Sequence, residues 1–281
     1  MSNFFQRALL FVIGLPAILF VIIYFDRFSH LGWTLIIVLT STFGSFESLK
    51  LFKPLPKLHE KIIIPLFGLL IPASAGADYL FTVPVSLFPL SLVAGTALVL
   101  FTQLVTWKKE EAFTFTGDTA ALLGALLYPS IFMAYMVRLS EFTFALSGML
   151  LFLVLNFSND TCAYLAGRFL GSGSRRIFPV SPKKTVTGFV GGFIGALLFG
   201  SVFVIYNPEM CAASWPARLL FFLFIAAIAD AGDLLESALK RGAEKKDSGK
   251  VVPGRGGMLD SIDSLLFSAP FFYYIGIILF N

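Results

Sequence analysis

Acidic residues at i,i+3 spacing stand in and beside apolar segments near the C-terminal end of the chain. Asp230 and Asp233 follow an apolar run, and Asp260 and Asp263 open the next one. On a helix, either pair presents two carboxylates on one face. An ionised carboxylate inside a membrane segment costs about 2.5–3.5 kcal/mol, so unpartnered pairs are unfavourable there. Oxygen ligands of this kind favour a divalent metal, whose charge would offset theirs.

The longest polar run of the chain separates these two pairs. It covers residues 237–263, and it contains six cations, Lys240, Arg241, Lys245, Lys246, Lys250 and Arg255. Basic loops are ordinary on the cytoplasmic side of membrane proteins, but cations beside paired carboxylates also suit a polyphosphate held through metal. The turn at 253–257 is rich in Pro and Gly, so its backbone N–H groups can approach a phosphate closely.

A second polar stretch covers residues 159–192. Within it, Ser181 and Pro182 are predicted to cap and open a helix, whose N-terminus favours an anion. Lys184 and Thr185 add hydrogen-bond donors there. Taken alone, the stretch leaves two interpretations open, an ordinary capped helix start and a phosphate site; together with the other polar run it favours the phosphate site. Four glycines predict close helix packing, and they are Gly188, Gly191, Gly192 and Gly195.

The composition is that of a membrane protein with many spans. Of 281 residues 57% are hydrophobic, and the mean hydropathy is +0.85, whereas soluble domains are about 45–50% apolar. We predict an all-α polytopic membrane protein. Nine segments approach the ~20 residues that a spanning helix needs: 4–25, 31–52, 61–80, 84–107, 114–137, 141–169, 184–206, 215–239 and 262–280. The two cysteines allow neither a disulfide framework nor a zinc cluster.

Charge placement predicts the orientation of these nine spans. With the N-terminus inside and the C-terminus outside, only Arg27, Arg138 and Arg218 of the 21 Lys and Arg residues lie outside, as the positive-inside rule requires. Asp160 and Asp233 each lie ~27 Å from the outer end of their helix, at 1.5 Å per residue. They should therefore meet Asp260 and Asp263 at the inner boundary of the membrane. Glu47 and Asp118 also fall near inner helix ends and are expected to face the inner interface, or else to line the same cavity.

The polar run resembles the pattern of the phosphatidate cytidylyltransferase (CDP-diacylglycerol synthase) family, SxLKRxxxxKD followed by a Pro-Gly-x-Gly-Gly turn and DxxD. The matching residues are Ser237, Leu239, Lys240, Arg241, Lys246, Asp247, Gly249, Pro253, Gly256, Gly257, Asp260 and Asp263. Two positions depart from it: Arg255 stands where the family usually has His, and Ser261 where it has Arg. Because a guanidinium does not deprotonate, Arg255 is expected to clamp charge rather than act as a base.

The second stretch is similar to the same family, and the resemblance covers roughly residues 156–268. It carries the family's Asp-Thr-x-Ala-Tyr-x-x-Gly run and its Ser-Pro-x-Lys-Thr run. The matching residues are Asp160, Thr161, Ala163, Tyr164, Gly167, Ser181, Pro182, Lys184 and Thr185. Residues 1–140 show only apolar helices, so we expect a scaffold there and a catalytic region at 141–281.

The resemblance implies cytidylyl transfer from CTP to phosphatidate, giving CDP-diacylglycerol and pyrophosphate. It implies an active site on the cytoplasmic face of the inner membrane, in contact with membrane lipid, in a protein that is expected to form a homodimer and to bind no nucleic acid. The expected metal ligands, for more than one Mg²⁺ or another divalent cation, are Asp160, Asp233, Asp260 and Asp263. The expected catalytic residues are Lys240, Arg241, Asp247 and Arg255, and the expected phosphate-binding residues are Ser181, Lys184, Thr185 and Lys246.

Three other functions use similar residues or chemistry. A cation transporter or channel would place its acids near the membrane midplane, whereas these acids collect at one face. A CDP-alcohol phosphotransferase would carry an Asp-Gly-x-x-Ala-Arg pattern, which this sequence lacks. A CTP-dependent lipid kinase uses closely related chemistry at the γ-phosphate, so it stays open as an alternative.

Overall fold

A computed structural model describes residues 13–53, 55–81, 84–109, 113–176 and 178–280. Within these ranges the chain forms nine α-helices and no β-strand. The helices are α1 (Leu15–Tyr24), α2 (Leu31–Phe52), α3 (Glu60–Leu80), α4 (Leu87–Val105), α5 (Phe115–Arg138), α6 (Ala145–Phe169), α7 (Val186–Tyr206), α8 (Trp215–Gly242) and α9 (Leu259–Phe280). Short 3₁₀ helices at Asp26–Phe28, Leu139–Glu141 and Pro208–Met210 complete the secondary structure.

Seven of the described helices, α2 to α7 and α9, are long and apolar enough to cross a membrane. The predicted all-α integral membrane protein is therefore confirmed. The predicted span at 4–25 lies partly outside the described residues, as does Arg7, and α1 has 10 residues. Helix α8 has 28 residues and is not among these seven. The count of nine spans and their orientation thus stay predictions.

The chain folds as two compact units. The first unit comprises the chain up to Arg138 together with Gly242–Ile262, and the second comprises Leu139–Arg241 together with Asp263–Asn281. The sequence predicted a boundary after residue 140. In the structure, most of the polar run at 237–263 belongs with the first group of helices rather than with α6–α8. The expected roles of the two regions, scaffold and catalytic, stay predictions.

In the first unit a proline and a serine on neighbouring helices compensate one another. Pro129 lies inside α5 and has no N–H, so the carbonyl of Ala125, one turn earlier, loses its helical donor. The Ser48 hydroxyl of α2 donates to that carbonyl at 2.8 Å. Ser45 and Ser130 lie next to this contact, with hydroxyl oxygens 3.3 Å apart. Side-chain hydroxyls of a neighbouring helix thus satisfy the backbone where proline interrupts it, as helices in lipid require.

In the second unit α6 and α7 pack through the glycines of α7. A Cβ added at Gly191 would lie 2.2 Å from Ala166 Cβ, and one at Gly195 would lie 2.6 Å from Cys162 Sγ. The absence of side chains lets the two backbones approach closely. The prediction that these glycines serve packing is confirmed, and the close contact fixes α6, which carries Asn159 and Asp160, against α7.

We predict that Gly191→Ala destabilises the protein. The added methyl overlaps Ala166 on α6, and overpacking of this kind costs about 1–3 kcal/mol, more than the helix propensity that alanine adds. The measurement is the apparent unfolding midpoint in detergent. The matched control is Gly117→Ala in α5, where the new Cβ meets no described atom within 4 Å. Equal midpoints for the two variants would contradict the packing argument.

Candidate active site

Four aspartates of the second unit come together from three helices. Asp160 lies on α6, Asp230 and Asp233 lie on α8, and Asp263 lies on α9. Asp263 interacts electrostatically with both Asp233 and Asp160, and Asp230 does so with the same two residues. We call these four residues the carboxylate cluster. The sequence predicted that Asp160 and Asp233 meet Asp260 and Asp263 at the inner boundary of the membrane. Within this unit both interact with Asp263, while their meeting with Asp260 and the depth of the cluster stay predictions.

Lys184 supplies positive charge to the carboxylate cluster. Its Nζ lies 2.7 Å from Asp233 Oδ2 and 3.9 Å from Asp230 Oδ1. The Lys184 side chain is 22% exposed and that of Asp233 is 31% exposed, so solvent screens this pair less than it would a surface pair. Glu236, one turn beyond Asp233, adds further negative charge near Asp263 and pairs with Lys240 at 3.2 Å.

Neutral side chains hold the cluster in place. Asn159 Nδ2 donates to Asp230 Oδ1 at 3.3 Å, and Ser264 Oγ donates to Asp160 Oδ2 at 3.1 Å. Sequence reasoning missed both residues, although each directly adjoins a predicted ligand in the chain. Asp230 is only 7% exposed, and its Oδ2 has no hydrogen-bond partner among the described residues. That oxygen is a buried acceptor still able to receive a cation or a proton.

The cluster offers the type of ligand that Mg²⁺ prefers, since all its donors are carboxylate oxygens. The buried Oδ2 of Asp230 is consistent with an additional partner. No group of three or more His, Cys, Asp or Glu side chains in the described ranges is already arranged as a metal-binding set. The residues therefore fit a divalent cation by donor chemistry, while side-chain adjustment would be needed to bind one.

In the first unit Asp260 organises the loop at 248–257, which we call the glycine loop. Asp260 Oδ2 accepts hydrogen bonds from Ser248 N and Gly257 N, each at 2.7 Å, and lies 2.8 Å from Ser248 Oγ. Gly254 and Gly256 have φ of +74° and +112°, a region that favours glycine. The contacts of Asp260 are thus with the backbone and a hydroxyl of the loop, and its role as a metal ligand stays a prediction.

Three predicted site residues, Lys246, Asp247 and Arg255, lie in or beside the glycine loop with exposed side chains. All three are accessible to solvent. Arg241 is also exposed, at the end of α8, while Lys240 is half-buried. The structure therefore brings Asp160, Lys184, Asp233 and Asp263 together in one unit, and it places Lys246, Asp247, Arg255 and Asp260 in the other.

The predicted cap of α7 was wrong in one residue. Thr185, not Ser181, is the N-cap: its Oγ1 accepts from Gly188 N at 3.1 Å. Ser181 lies four residues earlier, in a turn where its carbonyl accepts from Lys184 N at 3.1 Å. Two threonine or serine side chains were available for the same role, and the one directly before the helical backbone performs it. This turn places Lys184 beside the carboxylate cluster.

Glu47 was expected to face the inner interface or else to line the same cavity as the aspartates. It is only 3% exposed, so it does not face an interface. Its Oε2 accepts from Leu259 N at 3.0 Å and lies 3.1 Å from Ser248 Oγ. These partners are more than 200 residues away in the sequence, so no local pattern around Glu47 indicates them.

The described residues thus form an integral membrane protein with an acidic cluster whose charge is offset in part by a lysine. A family model described as the cytidylyltransferase family matches residues 5–279. The chain therefore belongs to the cytidylyltransferase family.

Individual relatives agree with the family match. The chain is 31% identical over 277 residues to a phosphatidate cytidylyltransferase of Bacillus subtilis (strain 168), covering 96% of each chain. It is 36% identical to a protein of the same name from Thermotoga maritima, over 66% of this chain and 68% of that one. A third such protein, from Staphylococcus haemolyticus, is 33% identical over 74% of both chains.

We predict that Lys184 and Asp233 are energetically coupled. Lys184→Met removes the cation and leaves the cluster's repulsion uncompensated, so it should lower stability. Asp233→Asn in the same chain should restore part of the loss, with a coupling of about 0.5–3 kcal/mol. The measurement is a double-mutant cycle on unfolding midpoints in detergent. Lys183→Met, at an exposed neighbour, is the control; additive effects of the two substitutions would refute the coupling.

Proposed function

We propose that this protein transfers the cytidylyl group of CTP to phosphatidate, forming CDP-diacylglycerol and releasing pyrophosphate. The observation that carries the proposal is the family match across residues 5–279, with a phosphatidate cytidylyltransferase of nearly equal length among the relatives. The carboxylate cluster with Lys184 supplies the charges that this chemistry needs.

The reaction joins two anions. A phosphate oxygen of phosphatidate attacks the α-phosphorus of CTP, a P–O bond forms, and the bond between the α-phosphorus and the oxygen bridging to the β-phosphate breaks. The attacking phosphate is already anionic near pH 7, so the nucleophile needs little or no general base. The protein's task is to neutralise charge and to align the two phosphates.

Asp160, Asp233 and Asp263 are the proposed ligands of one or more divalent cations. When bound, the cation neutralises phosphate oxygens and stabilises the leaving pyrophosphate. Asn159 and Ser264 hold two of the cluster's carboxylates in place, as their hydrogen bonds indicate. Asp260 remains a proposed further ligand, although one of its oxygens already accepts three hydrogen bonds.

Several cationic and hydroxyl side chains are proposed to bind the phosphate groups. Lys240 and Arg241 are proposed to hold the triphosphate, and Lys184 can exchange its contact with Asp233 for a phosphate oxygen. The remaining proposed phosphate ligands are Ser181, Thr185, Lys246 and Arg255, with Asp247 as a further catalytic residue. The Thr185 hydroxyl also caps α7 by accepting from Gly188 N, and its O–H can donate to a phosphate oxygen beside Lys184.

A site at the cytoplasmic boundary of the inner membrane would meet both substrates, since CTP is soluble and phosphatidate lies in the leaflet. We propose nine spans with the N-terminus inside and the C-terminus outside, on the basis of the Lys and Arg distribution. A homodimer is proposed from the family resemblance.

The first prediction of this function concerns the fate of the label. With phosphatidate and α-³²P-CTP, the purified protein should transfer label to the lipid, because cytidylyl transfer moves the α-phosphate. With γ-³²P-CTP the label should appear in pyrophosphate only. The measurement is thin-layer chromatography of the lipid extract. Label reaching the lipid from γ-³²P-CTP and not from α-³²P-CTP would establish the kinase instead.

The second prediction of this function concerns Asp263, a proposed metal ligand. Asp263→Asn should lower the initial rate by about 100-fold or more, since a metal ion contributes several kcal/mol of stabilisation to the transition state. The same change removes a like charge beside Asp233 and Asp160, so the unfolding midpoint should not fall. Rates are measured against free Mg²⁺, and chelation by EDTA should abolish wild-type activity. Exposed Glu209 provides the control, Glu209→Gln; a wild-type rate for Asp263→Asn would exclude this ligand.

A further inference from the structure

We infer that Glu47 is a positioning residue for the glycine loop. It lies on α2, within residues 1–140, where the sequence predicted a scaffold. Its carboxylate is buried and meets the chain at both ends of the loop. Oε2 accepts from Leu259 N, the first residue of α9, at 3.0 Å, and it lies 3.1 Å from Ser248 Oγ, at the start of the loop. One side chain therefore fixes the entry and the exit of the loop.

Two glycines show how closely the loop approaches Glu47. A Cβ added at Gly249 would lie 2.1 Å from Oε1, and a Cβ at Gly257 would lie 2.4 Å from Oε2. Both positions belong to the family pattern quoted above. Glycine at 249 therefore leaves the space that the Glu47 carboxylate takes. Glycine at 257 leaves space for both the Ser248 hydroxyl, which would lie 2.0 Å from an added Cβ, and Glu47.

Ser248 links Glu47 to Asp260. Its hydroxyl lies 3.1 Å from Glu47 Oε2 and 2.8 Å from Asp260 Oδ2, so the two carboxylates share the one hydroxyl proton of Ser248. Asp260 also accepts from Ser248 N and Gly257 N. Glu47 and Asp260 thus hold the same two ends of the loop from two different helices. Removing Glu47 should loosen the loop while Asp260 keeps the chain connected to α9.

The consequence for the reaction rests on the proposed function. The glycine loop bears Arg255 and adjoins Lys246 and Asp247, all exposed and all proposed to act on the substrates. A loop held at both ends presents Arg255 in one position, and positioning of this kind lowers the entropic cost of binding. Glu47 would act on CTP binding through the loop without touching the nucleotide.

The test uses the whole protein in detergent and limited digestion with trypsin. Peptides ending at Lys250 and Arg255 are quantified by mass spectrometry over time. Glu47→Ala should raise the cleavage rate at these sites by about tenfold or more, because cleavage follows the open population of the loop and two hydrogen bonds are lost. Glu47→Gln keeps an acceptor for Leu259 N and should give a smaller rise.

Two further variants, one on the loop side and one control, are digested in the same way. Ser248→Ala removes the link from the loop side and should raise cleavage in the same direction, and its effect should not add to that of Glu47→Ala. Glu60→Gln is the matched control, because Glu60 is a buried glutamate of the same unit whose partners, Lys53, Gln103 and the backbone of Lys57, lie outside the glycine loop. It should leave cleavage at Lys250 and Arg255 unchanged.

Kinetics separate positioning from general stability. In the cytidylyl assay, Glu47→Ala should raise the KM for CTP by more than it lowers kcat, and Glu47→Gln should recover part of the loss. Wild-type cleavage rates in both Glu47→Ala and Ser248→Ala would overturn the inference, as would faster cleavage with unchanged kinetics. If the wild-type protein transfers no cytidylyl group, the proposed function fails, and the digestion arm still decides whether Glu47 holds the loop.

Discussion

Repulsion among carboxylates placed side by side is the constraint on which the second unit depends. Asp160, Asp230, Asp233 and Asp263 lie on three helices, and several of them are close enough to repel one another. Asp230 is only 7% exposed, so solvent screens this repulsion only in part. Lys184 offsets part of this negative charge, and Asn159 and Ser264 donate hydrogen bonds to Asp230 and Asp160. A divalent cation bound at the carboxylate cluster, as proposed above, would offset the remaining repulsion.

Within each unit, neighbouring helices are held close to one another by specific contacts. Between α6 and α7 that is achieved by glycines, since Gly191 and Gly195 leave no space for a methyl. In the other unit it is achieved by hydrogen bonds in an otherwise apolar setting, as where Ser48 satisfies the carbonyl that Pro129 leaves without a donor. Both the close glycine contacts and the Ser48 hydrogen bond are needed for the same reason. In lipid, no water is present to fill a gap or to form a hydrogen bond with a backbone group.

Much of the fold was predictable because membrane helices have a length and composition that are visible locally. The segment predicted at 31–52 is α2 (Leu31–Phe52), and the one predicted at 84–107 contains α4 (Leu87–Val105). The aspartates of the cluster were also found, because an acid after an apolar run is conspicuous. The cap of α7 was misplaced by four residues, since Ser181 and Thr185 have similar capping chemistry and only the backbone decides between them. Glu47 could not be assigned, because its partners are distant in sequence and its burial follows from packing.

The crowding around the glycine loop limits how this protein can change. At Gly249, Gly256 and Gly257 an added methyl would overlap a carboxylate oxygen or a serine hydroxyl, and Gly256 also has a positive φ. Variation in the loop is therefore confined to side chains that point to solvent, such as Arg255. An attempt to redesign nucleotide preference by directed evolution would find its tolerated substitutions there, and libraries that randomise the glycines would consist mainly of misfolded chains.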